Sequence, residues 1–266
     1  MIAPPVRIMT WNVHGTFALN PKFDLPGVIG LIQKWSPDVV ALQEIDSRGG
    51  GLNPFLVLEE AFGGHSVGIK SIVTTDGDYG QMLISRWPWA AQPEIHDISF
   101  GEHEPRRAVV ADIATKSGIY RVIATHLGLS VGERRRQTQK LLTLAQEPTH
   151  PSVIAGDFND WFWVNSVRKS LARQFPARTR HRTFPSRWPL MRLDRIYGRD
   201  IRIIESFTDP EAKAISDHLP VIADIVPTMP LRLPAPGDGD VLEPSIAAEP
   251  PVWPTRMVPI MPSTEK

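Results

Sequence analysis

The feature that most limits the fold of this sequence is a buried strand that runs directly into acid and amide side chains. Residues 152–160 read SVIAGDFND. The apolar run at 153–155 is typical of a strand buried on both faces, and Gly156 lets the backbone bend at its end. Asp157 and Asn159 follow two residues apart, so in an extended chain their side chains point to the same face. An Asx-rich turn into a helix is the structural alternative for this stretch alone.

Further strands and helices alternate along the first 226 residues. Residues 6–13 and 38–44 carry apolar side chains on both faces, which is typical of central strands. Between them, residues 25–35 show helical spacing that stops at Ser36-Pro37. Strand, helix and strand at this spacing predict an α/β fold. A short helix is predicted near 55–62, and further strands at 80–85, 108–113, 119–125, 193–197, 201–206 and 219–226.

Two connections predict that the sheets are mixed. The strands at 108–113 and 119–125 are separated by the turn Lys116-Ser117-Gly118, which is a hairpin signal. The strand at 201–206 follows 193–197 closely, and the two are expected to pair.

One later helix has a clear start signal. Ser130 and Glu133 fit a capping box, and the helix is predicted to continue to about Gln146. Its leucines supply an apolar face, and its basic side chains are interpreted as a solvated face, namely Arg134, Arg135, Arg136 and Lys140.

Composition limits the class of protein. A chain of 266 residues with 42% hydrophobic content can build one large domain or two small ones with a substantial core, and one domain is favoured. The 29 basic and 29 acidic residues balance, so no overall field draws the chain to nucleic acid or anionic membranes. The sequence has no cysteine, which excludes disulfides and thiolate sites. Without a signal-peptide pattern or an apolar run long enough to span a bilayer, a cytoplasmic protein is expected.

The composition changes after Val226. Residues 227–266 hold ten of the 26 prolines and have no helical or strand period. This segment is predicted to be a disordered tail outside a domain that spans residues 1–226. Proline-rich segments can bind the aromatic grooves of a partner protein, and a dispensable tail is the alternative interpretation.

Polar side chains able to bind a metal ion or move a proton stand just beyond apolar strands at six places. Each has an ordinary explanation alone: Asn12 can end a strand, and His126 can be a satisfied core residue. Glu44 is costly at the end of a buried strand unless a cation or donor receives it. Separate structural explanations are hard to sustain for the whole set, which comprises Asn12, Glu44, His126, Asp157 with Asn159, Asp194, and Asp217 with His218.

These six places, in this order, resemble the endonuclease/exonuclease/phosphatase superfamily, which includes deoxyribonuclease I, exonuclease III and neutral sphingomyelinases. The resemblance covers residues 6–226 and implies a four-layer α/β/β/α sandwich, with two mixed sheets packed face to face and helices outside. The motifs that carry it are TWNVHG (10–15), PDVVALQE (37–44), THL (125–127), GDFN (156–159), LDRI (193–196) and SDHLP (216–220).

The resemblance implies a metal site. Glu44 would be the principal ligand of Mg²⁺ or Mn²⁺, with Asn12 and Asp217 nearby, because an oxygen-rich set without sulfur suits these hard ions. Exonuclease III and its repair relatives carry an aspartate where this chain has His14. That departure argues against an abasic-site repair enzyme.

The resemblance also implies catalytic roles. Asp157 would orient or deprotonate the attacking water, Asn159 would hold a phosphoryl oxygen, and His126 would face the phosphate. His218, oriented by Asp194, would stabilise the charged phosphate or act as acid or base. Whether Asp157 or His218 is the base stays open. In a regular strand Asp217 and His218 face opposite ways, so both can serve one site only where the chain is irregular.

Arginines are candidates for binding the substrate phosphate. Residues 178–195 contain six arginines against the single acid Asp194, which suits either a solvated loop or a phosphate rim. The individual candidates are Arg106, Arg107 and Arg187. The aromatic run 161–163 could pack in the core, stack a base or meet a lipid.

The sequence thus predicts a monomeric, divalent-metal-dependent phosphodiester hydrolase, with a nuclease-like activity favoured. A phospholipid or small-molecule phosphodiesterase or phosphatase using the same site is the alternative. A non-catalytic phosphate-binding scaffold is the competing class.

Overall fold

The computed structural model describes residues 4–15, 23–49, 51–146, 150–161 and 166–229. In chain order its elements are β1 (Val6–Asn12), α1 (Leu25–Trp35), β2 (Val39–Asp46), α2 (Pro54–Phe62), β3 (His65–Thr74), β4 (Gly77–Ser85), β5 (Glu94–Asp97), β6 (Arg107–Thr115), β7 (Gly118–His126), α3 (Val131–Leu144), β8 (Ser152–Asp157), α4 (Ser166–Gln174), β9 (Ala177–Arg178), β10 (Asp194–Arg199), β11 (Ile201–Phe207), a 3₁₀ turn (Pro210–Ala214) and β12 (Val221–Pro227).

The strands form two mixed sheets of six strands each. Their orders are β11-β12-β1-β2-β4-β3 and β5-β6-β7-β8-β10-β9. Side chains from both sheets share one apolar layer, in which Ile8 and Ala41 of the first sheet meet Val122 and Val153 of the second. The predicted face-to-face packing of two sheets is therefore confirmed.

Helices cover the outer faces. Helices α1 and α2 pack on the first sheet through residues such as Ile32 and Leu58. Helices α3 and α4 cover the second sheet through Leu141 and Leu171. The result is the predicted four-layer α/β/β/α sandwich.

Parallel pairing decides where the polar strand ends meet. Strand β1 runs parallel to β2, and β7 runs parallel to β8. Carboxyl ends of parallel neighbours lie at the same edge of a sheet. Since β1 also lies across from β8, the ends of all four strands come together at one edge of the sandwich.

Most predicted elements are confirmed, and helix α1 spans the predicted residues. The pairing of 201–206 with 193–197 is wrong, because β11 pairs with β12 in the other sheet. The chain changes sheet at Asp200, whose φ is 57°. Ile196 and Ile201 consequently meet in the layer between the sheets instead of lying side by side.

The helix after residue 130 begins as predicted. The Ser130 hydroxyl accepts a hydrogen bond from the Glu133 amide at 3.2 Å. Arg135, Arg136 and Lys140 are exposed as expected. The interpretation of Arg134 as a solvated side chain is wrong: it is 2% exposed. Its guanidinium donates to the carbonyls of Gly128 and Leu129 in the loop after β7.

Among the described residues, no helix is both long and apolar enough to cross a membrane. Of the predicted tail, residues 230–266 lie outside the described residues.

Candidate active site

The amide of Asn12 connects the ends of three strands. Its nitrogen donates to Glu44 Oε1 at 2.7 Å and to Asp157 Oδ2 at 3.1 Å. Its oxygen accepts from the backbone amide of His14 at 3.0 Å. These partners fix which end of the amide is which, because carboxylates only accept and a backbone amide only donates. Asn12 therefore holds two carboxylates of the predicted site together.

Glu44 reaches this position through an irregularity in β2. The register between β2 and β4 shifts between Gln43 and Ile45. Glu44 is the extra residue, with a φ of 58°. Non-glycine residues enter this left-handed region at a cost of order 1–3 kcal/mol and are found mainly where function over-determines them. The bulge re-aims the carboxylate toward the edge where β1, β7 and β8 end.

The segment before β12 is irregular, as the prediction for Asp217 and His218 required. The Ser216 hydroxyl donates to the Asn12 carbonyl at 2.8 Å and accepts from the His218 amide at 3.1 Å. The indole of Trp11 donates to the His218 carbonyl at 3.0 Å. These bonds attach the turn to β1, and the Ser216 contacts were not foreseen from the sequence. The detectable signal was a serine two residues before a histidine, the spacing of a hydroxyl-capped turn.

His218 and Asp194 form a buried pair. Nδ1 of His218 lies 2.8 Å from Asp194 Oδ2 and 3.9 Å from Asp157 Oδ2. Burial alone would lower the pKa of His218, but Asp194 and then Asp157 raise it to about 10. The ring is consequently an imidazolium at neutral pH, and its Nε2 has no hydrogen-bond partner among the described residues.

His126 is neutral and is held in one tautomer. Nδ1 lies 3.1 Å from Nη1 of Arg106. A guanidinium can only donate, so Nδ1 accepts and the hydrogen of the neutral ring resides on Nε2. Burial, followed by the positive charge of Arg106, keeps the pKa of His126 well below its usual range. Arg106 is itself 4% exposed and pairs with Glu104 at 3.0 Å.

Asn159 presents a second donor beside His126. Its amide nitrogen donates to the Leu127 carbonyl at 2.8 Å, and its oxygen accepts from the Trp161 indole at 3.0 Å. That nitrogen also lies 3.1 Å from Nε2 of His126. Two groups that both carry hydrogen thus face each other. An acceptor that lies beside both nitrogens, within hydrogen-bond distance of each, would satisfy the pair, and a phosphoryl oxygen is such an acceptor.

Asp157 lies among these groups. Its Oδ1 accepts from the Asn159 backbone amide at 2.8 Å, and its Oδ2 lies 3.6 Å from Nε2 of His126. Burial and then the neighbouring charge of Asp194 raise the pKa of Asp157 above its usual value. A carboxylate with a raised pKa is better suited to accept a proton near neutral pH.

The oxygen ligands for a cation are present. Oδ1 of Asp217 is buried and has no hydrogen-bond partner in the described part of the chain. Nδ1 of His14 lies 3.5 Å from this oxygen and 3.5 Å from Glu44 Oε2. Burial alone would raise the pKa of Glu44, but the hydrogen bonds from His14 and Asn12 contribute to lowering it to about 2. An ionised carboxylate and an unsatisfied carboxylate oxygen fit a hard divalent cation.

The histidine nitrogens nearby are less suitable as metal ligands. Glu44, His126 and Asp157 lie close enough to share one ion, as do Asp157, Asp194 and His218. His126 carries its hydrogen on Nε2, however, and Nδ1 of His218 is bonded to Asp194. The carboxylate oxygens are therefore the better candidate ligands.

Of the predicted arginines, Arg106 contacts a ring of this cluster, whereas the side chains of Arg107 and Arg187 form no bond to it within the described residues. Arg107 pairs with Asp97 on β5 at 2.9 Å. Arg187 is exposed on the segment that joins β9 to β10. In the described part of the chain, the Arg106 side chain reaches the site through the ring of His126.

Aromatic rings border the site. Phe184 packs against His218 with ring centroids 4.8 Å apart, and Trp161 meets Phe184 at 5.0 Å. Trp161 thus borders the site, while Phe162 and Trp163 of the same aromatic run lie outside the described residues. Nothing in the sequence pattern identified Phe184.

Comparison with known proteins agrees with the fold. The profile of the Endonuclease/Exonuclease/phosphatase family matches residues 9–218. The uncharacterized protein YbhP of Escherichia coli strain K12 is 30% identical over 248 residues, covering 82% of this chain and 95% of YbhP. The chain belongs to the endonuclease/exonuclease/phosphatase family.

Solved structures share the fold at lower identity. An endonuclease/exonuclease/phosphatase from Beutenbergia cavernae has a TM-score of 0.69 and 20% identity, over 86% of this chain and 73% of the other. TDP2 from D. rerio, complexed with a single-strand DNA product, has a TM-score of 0.63 and 17% identity, over 83% and 98% of the two chains.

Proposed function

We propose that this protein is a divalent-metal-dependent phosphodiester hydrolase with nuclease-like activity. The observation that carries the proposal is the pair of facing donors, Nε2 of His126 and the amide nitrogen of Asn159, 3.1 Å apart beside Asp157. Preorganised donors aimed at a developing oxyanion are among the largest contributions to hydrolytic catalysis.

Glu44 and Asp217 would hold Mg²⁺ or Mn²⁺, with Asn12 fixing the orientation of Glu44. The bound ion would supply a Lewis acid that polarises a phosphoryl oxygen and offsets its charge. Asn12 was predicted among the ligands, and its bond to Glu44 supports a positioning role at the same site.

The protein's own groups divide the remaining work. Asp157 accepts a proton from the attacking water, since its raised pKa favours that role over the strongly charged His218. The donors of His126 and Asn159 hold a phosphoryl oxygen. The imidazolium of His218, oriented by Asp194, stabilises the phosphoryl charge and can protonate the departing oxygen as the P–O bond breaks.

The catalytic unit is proposed to be residues 1–226, which contain the whole family match at 9–218. The nuclease preference draws support from the bound product of TDP2. The proline-rich segment 227–266 remains a predicted partner-binding tail.

The test is hydrolysis of bis-(p-nitrophenyl) phosphate after removal of metal with a chelator and addition of Mg²⁺ or Mn²⁺. We expect no turnover with chelator and recovery with either ion. Single-stranded oligonucleotide, supercoiled plasmid and phosphatidylcholine vesicles, assayed in parallel, identify the substrate class, with the oligonucleotide expected to be cleaved fastest. Turnover that is insensitive to chelator, or none on any phosphoester, would contradict the proposal.

A further inference from the structure

A second cleft opens beside the candidate active site. Its lining residues are Asp160, Trp161, Arg168, Leu190, Met191, Arg192 and Arg195. Three guanidinium groups thus face one carboxylate in this cleft. The proposed reaction uses none of the three arginines.

Arg195 is the most informative of these side chains. It is 6% exposed. Its Nε donates to the Arg192 carbonyl at 2.9 Å, and within the described ranges no carboxylate lies within 4 Å of its guanidinium. A buried charge without an ion pair is costly and calls for a compensating anion.

The carboxylate of Asp160 does not neutralise the cluster. It forms no ion pair within 4 Å in the part of the chain that the structure describes. Burial raises the pKa of Asp160. This rise is opposed by the positive charges of Arg195, Arg134 and Arg168. One acid surrounded by several arginines leaves the cleft with a net positive charge.

Mutual repulsion among the arginines supports this conclusion. Burial lowers the pKa of Arg192, and Arg195, Arg182, Arg168 and Arg180 lower it further. Guanidinium groups are held this close where an anion compensates them, because their planar fork binds phosphate with two parallel hydrogen bonds.

The cleft is separated from the candidate active site by one indole ring. Trp161 lines the cleft, and its Nε1 donates to Asn159 Oδ1 at 3.0 Å. Arg195 directly follows Asp194 in β10, so the two side chains point to opposite faces of the sheet. The cleft and a substrate held at Asn159 would therefore lie on opposite sides of the Trp161 ring.

We propose that this cleft is a subsite for a second phosphate group of the substrate. The inference rests on the proposed function, which it deepens by restricting the substrate to phosphodiesters that carry a neighbouring phosphate. An oligonucleotide chain and a multiply phosphorylated small molecule share this chemistry. A zwitterionic lipid headgroup with one phosphate does not.

A matched substrate pair tests the proposal. Thymidine 5′-(p-nitrophenyl phosphate) is compared with the same compound phosphorylated at its 3′ oxygen. A charge-assisted hydrogen bond contributes about 1.5–3 kcal/mol, so the extra phosphate is expected to raise kcat/KM by roughly 10- to 100-fold. A second pair of substrates, built on glycerol in place of thymidine, distinguishes an oligonucleotide from a multiply phosphorylated small molecule as the substrate. An enzyme that acts on nucleic acid should show no gain in kcat/KM from the extra phosphate on glycerol.

The variants Arg168→Gln and Arg195→Gln should bring the ratio of kcat/KM with and without the extra phosphate close to one. Arg168 is half-buried, so its variant provides the test if the Arg195 variant does not fold. Arg173→Gln on the exposed side of α4 is the control and should keep the wild-type ratio. A ratio of one in the wild-type protein, or an unchanged ratio in Arg168→Gln, overturns the subsite.

Binding of pyrophosphate, measured by titration calorimetry, separates the subsite from the proposed activity. We expect affinity to fall at least about 10-fold in Arg168→Gln and to be kept in Arg173→Gln. Loss of hydrolysis on every substrate together with this binding pattern would refute the proposed function and leave the subsite intact. Equal binding by all three proteins would refute the subsite.

Discussion

Nδ1 of His218 lies 2.8 Å from Oδ2 of Asp194, and both side chains are buried at the edge where the two sheets meet. A histidine in this pair is both positively charged and fixed in orientation. Its charge depends mainly on Asp194, which gives the pair a testable dependence on pH.

Replacement of Asp194 by asparagine should lower the pKa of His218 from about 10 toward its ordinary value. The raised pKa of His218 stabilises the folded protein, and this stabilisation is fully present below pH 6.5, the pKa of the ring in the unfolded chain. It is lost as the pH rises through the pKa of the folded protein, about 10. In EDTA, the difference in unfolding free energy between wild-type protein and Asp194→Asn should therefore shrink from pH 6 to pH 10. Urea unfolding at several pH values measures this difference. A constant or growing difference would refute the charged pair.

Arg106 controls the proton on His126 and can be tested separately from it. Arg106→Gln should raise the pKa of His126, because the guanidinium charge opposes a charged ring. It should lower kcat by about 10-fold, less than the 10²–10³ typical of deleting an oxyanion donor outright. NMR titration of the His126 ring measures the pKa. Arg107→Gln is the control, since Arg107 pairs with Asp97, and equal ring titrations in both variants would contradict the assignment.

Metal binding should depend on Glu44. Glu44→Gln removes the ionised carboxylate and should weaken Mn²⁺ binding by at least about 10-fold, the lower bound for the loss of an outer-shell partner. Calorimetric titration of the metal-free protein measures this directly. The exposed Glu60 on α2 offers the matched control, Glu60→Gln. If both variants bind Mn²⁺ equally well, the metal lies elsewhere.

Two glycines should respond to alanine with opposite signs. A Cβ at Gly156 would lie 1.9 Å from the Thr125 carbonyl oxygen of the neighbouring strand. Gly156→Ala should therefore destabilise the protein by about 3 kcal/mol or more. Gly30 in α1 has no atom within 4 Å of such a Cβ, so Gly30→Ala should stabilise by about 0.5–1 kcal/mol. Denaturant unfolding compares the two, and a destabilisation at Gly156 no larger than the change at Gly30 would contradict the close strand packing.

Apolar strands with polar ends are a local signal, which was sufficient for the α/β class and for the residues gathered at one edge, whereas the sandwich followed from the resemblance to the family. Strand β3 was missed because it lies at the edge of its sheet. Ile69 is its one buried residue, so the strand has no buried apolar run to indicate it. The partner of β11 was predicted wrongly, since alternation along a strand does not encode which sheet it joins. Arg134 was taken for a solvated residue, because no local pattern shows that loop carbonyls will surround its guanidinium.

Orientation within the site was also beyond the sequence. The motif containing Glu44 gave no sign of the bulge that turns its carboxylate toward Asn12. The tautomer of His126 depends on Arg106, which is 20 residues away in the chain. Both features arise from tertiary contacts, which residue spacing alone does not determine.

The most direct test of the central claim is single-turnover hydrolysis of a phosphodiester by Asp157→Asn, with Mn²⁺ present and folding verified by circular dichroism. The substitution keeps the size of the side chain and removes the proton acceptor. We predict a rate lower by at least about 10² and no recovery with excess Mn²⁺, as expected for the loss of a general base. A folded Asp157→Asn protein that turns over at the wild-type rate would contradict the placement of catalysis at this edge of the sandwich.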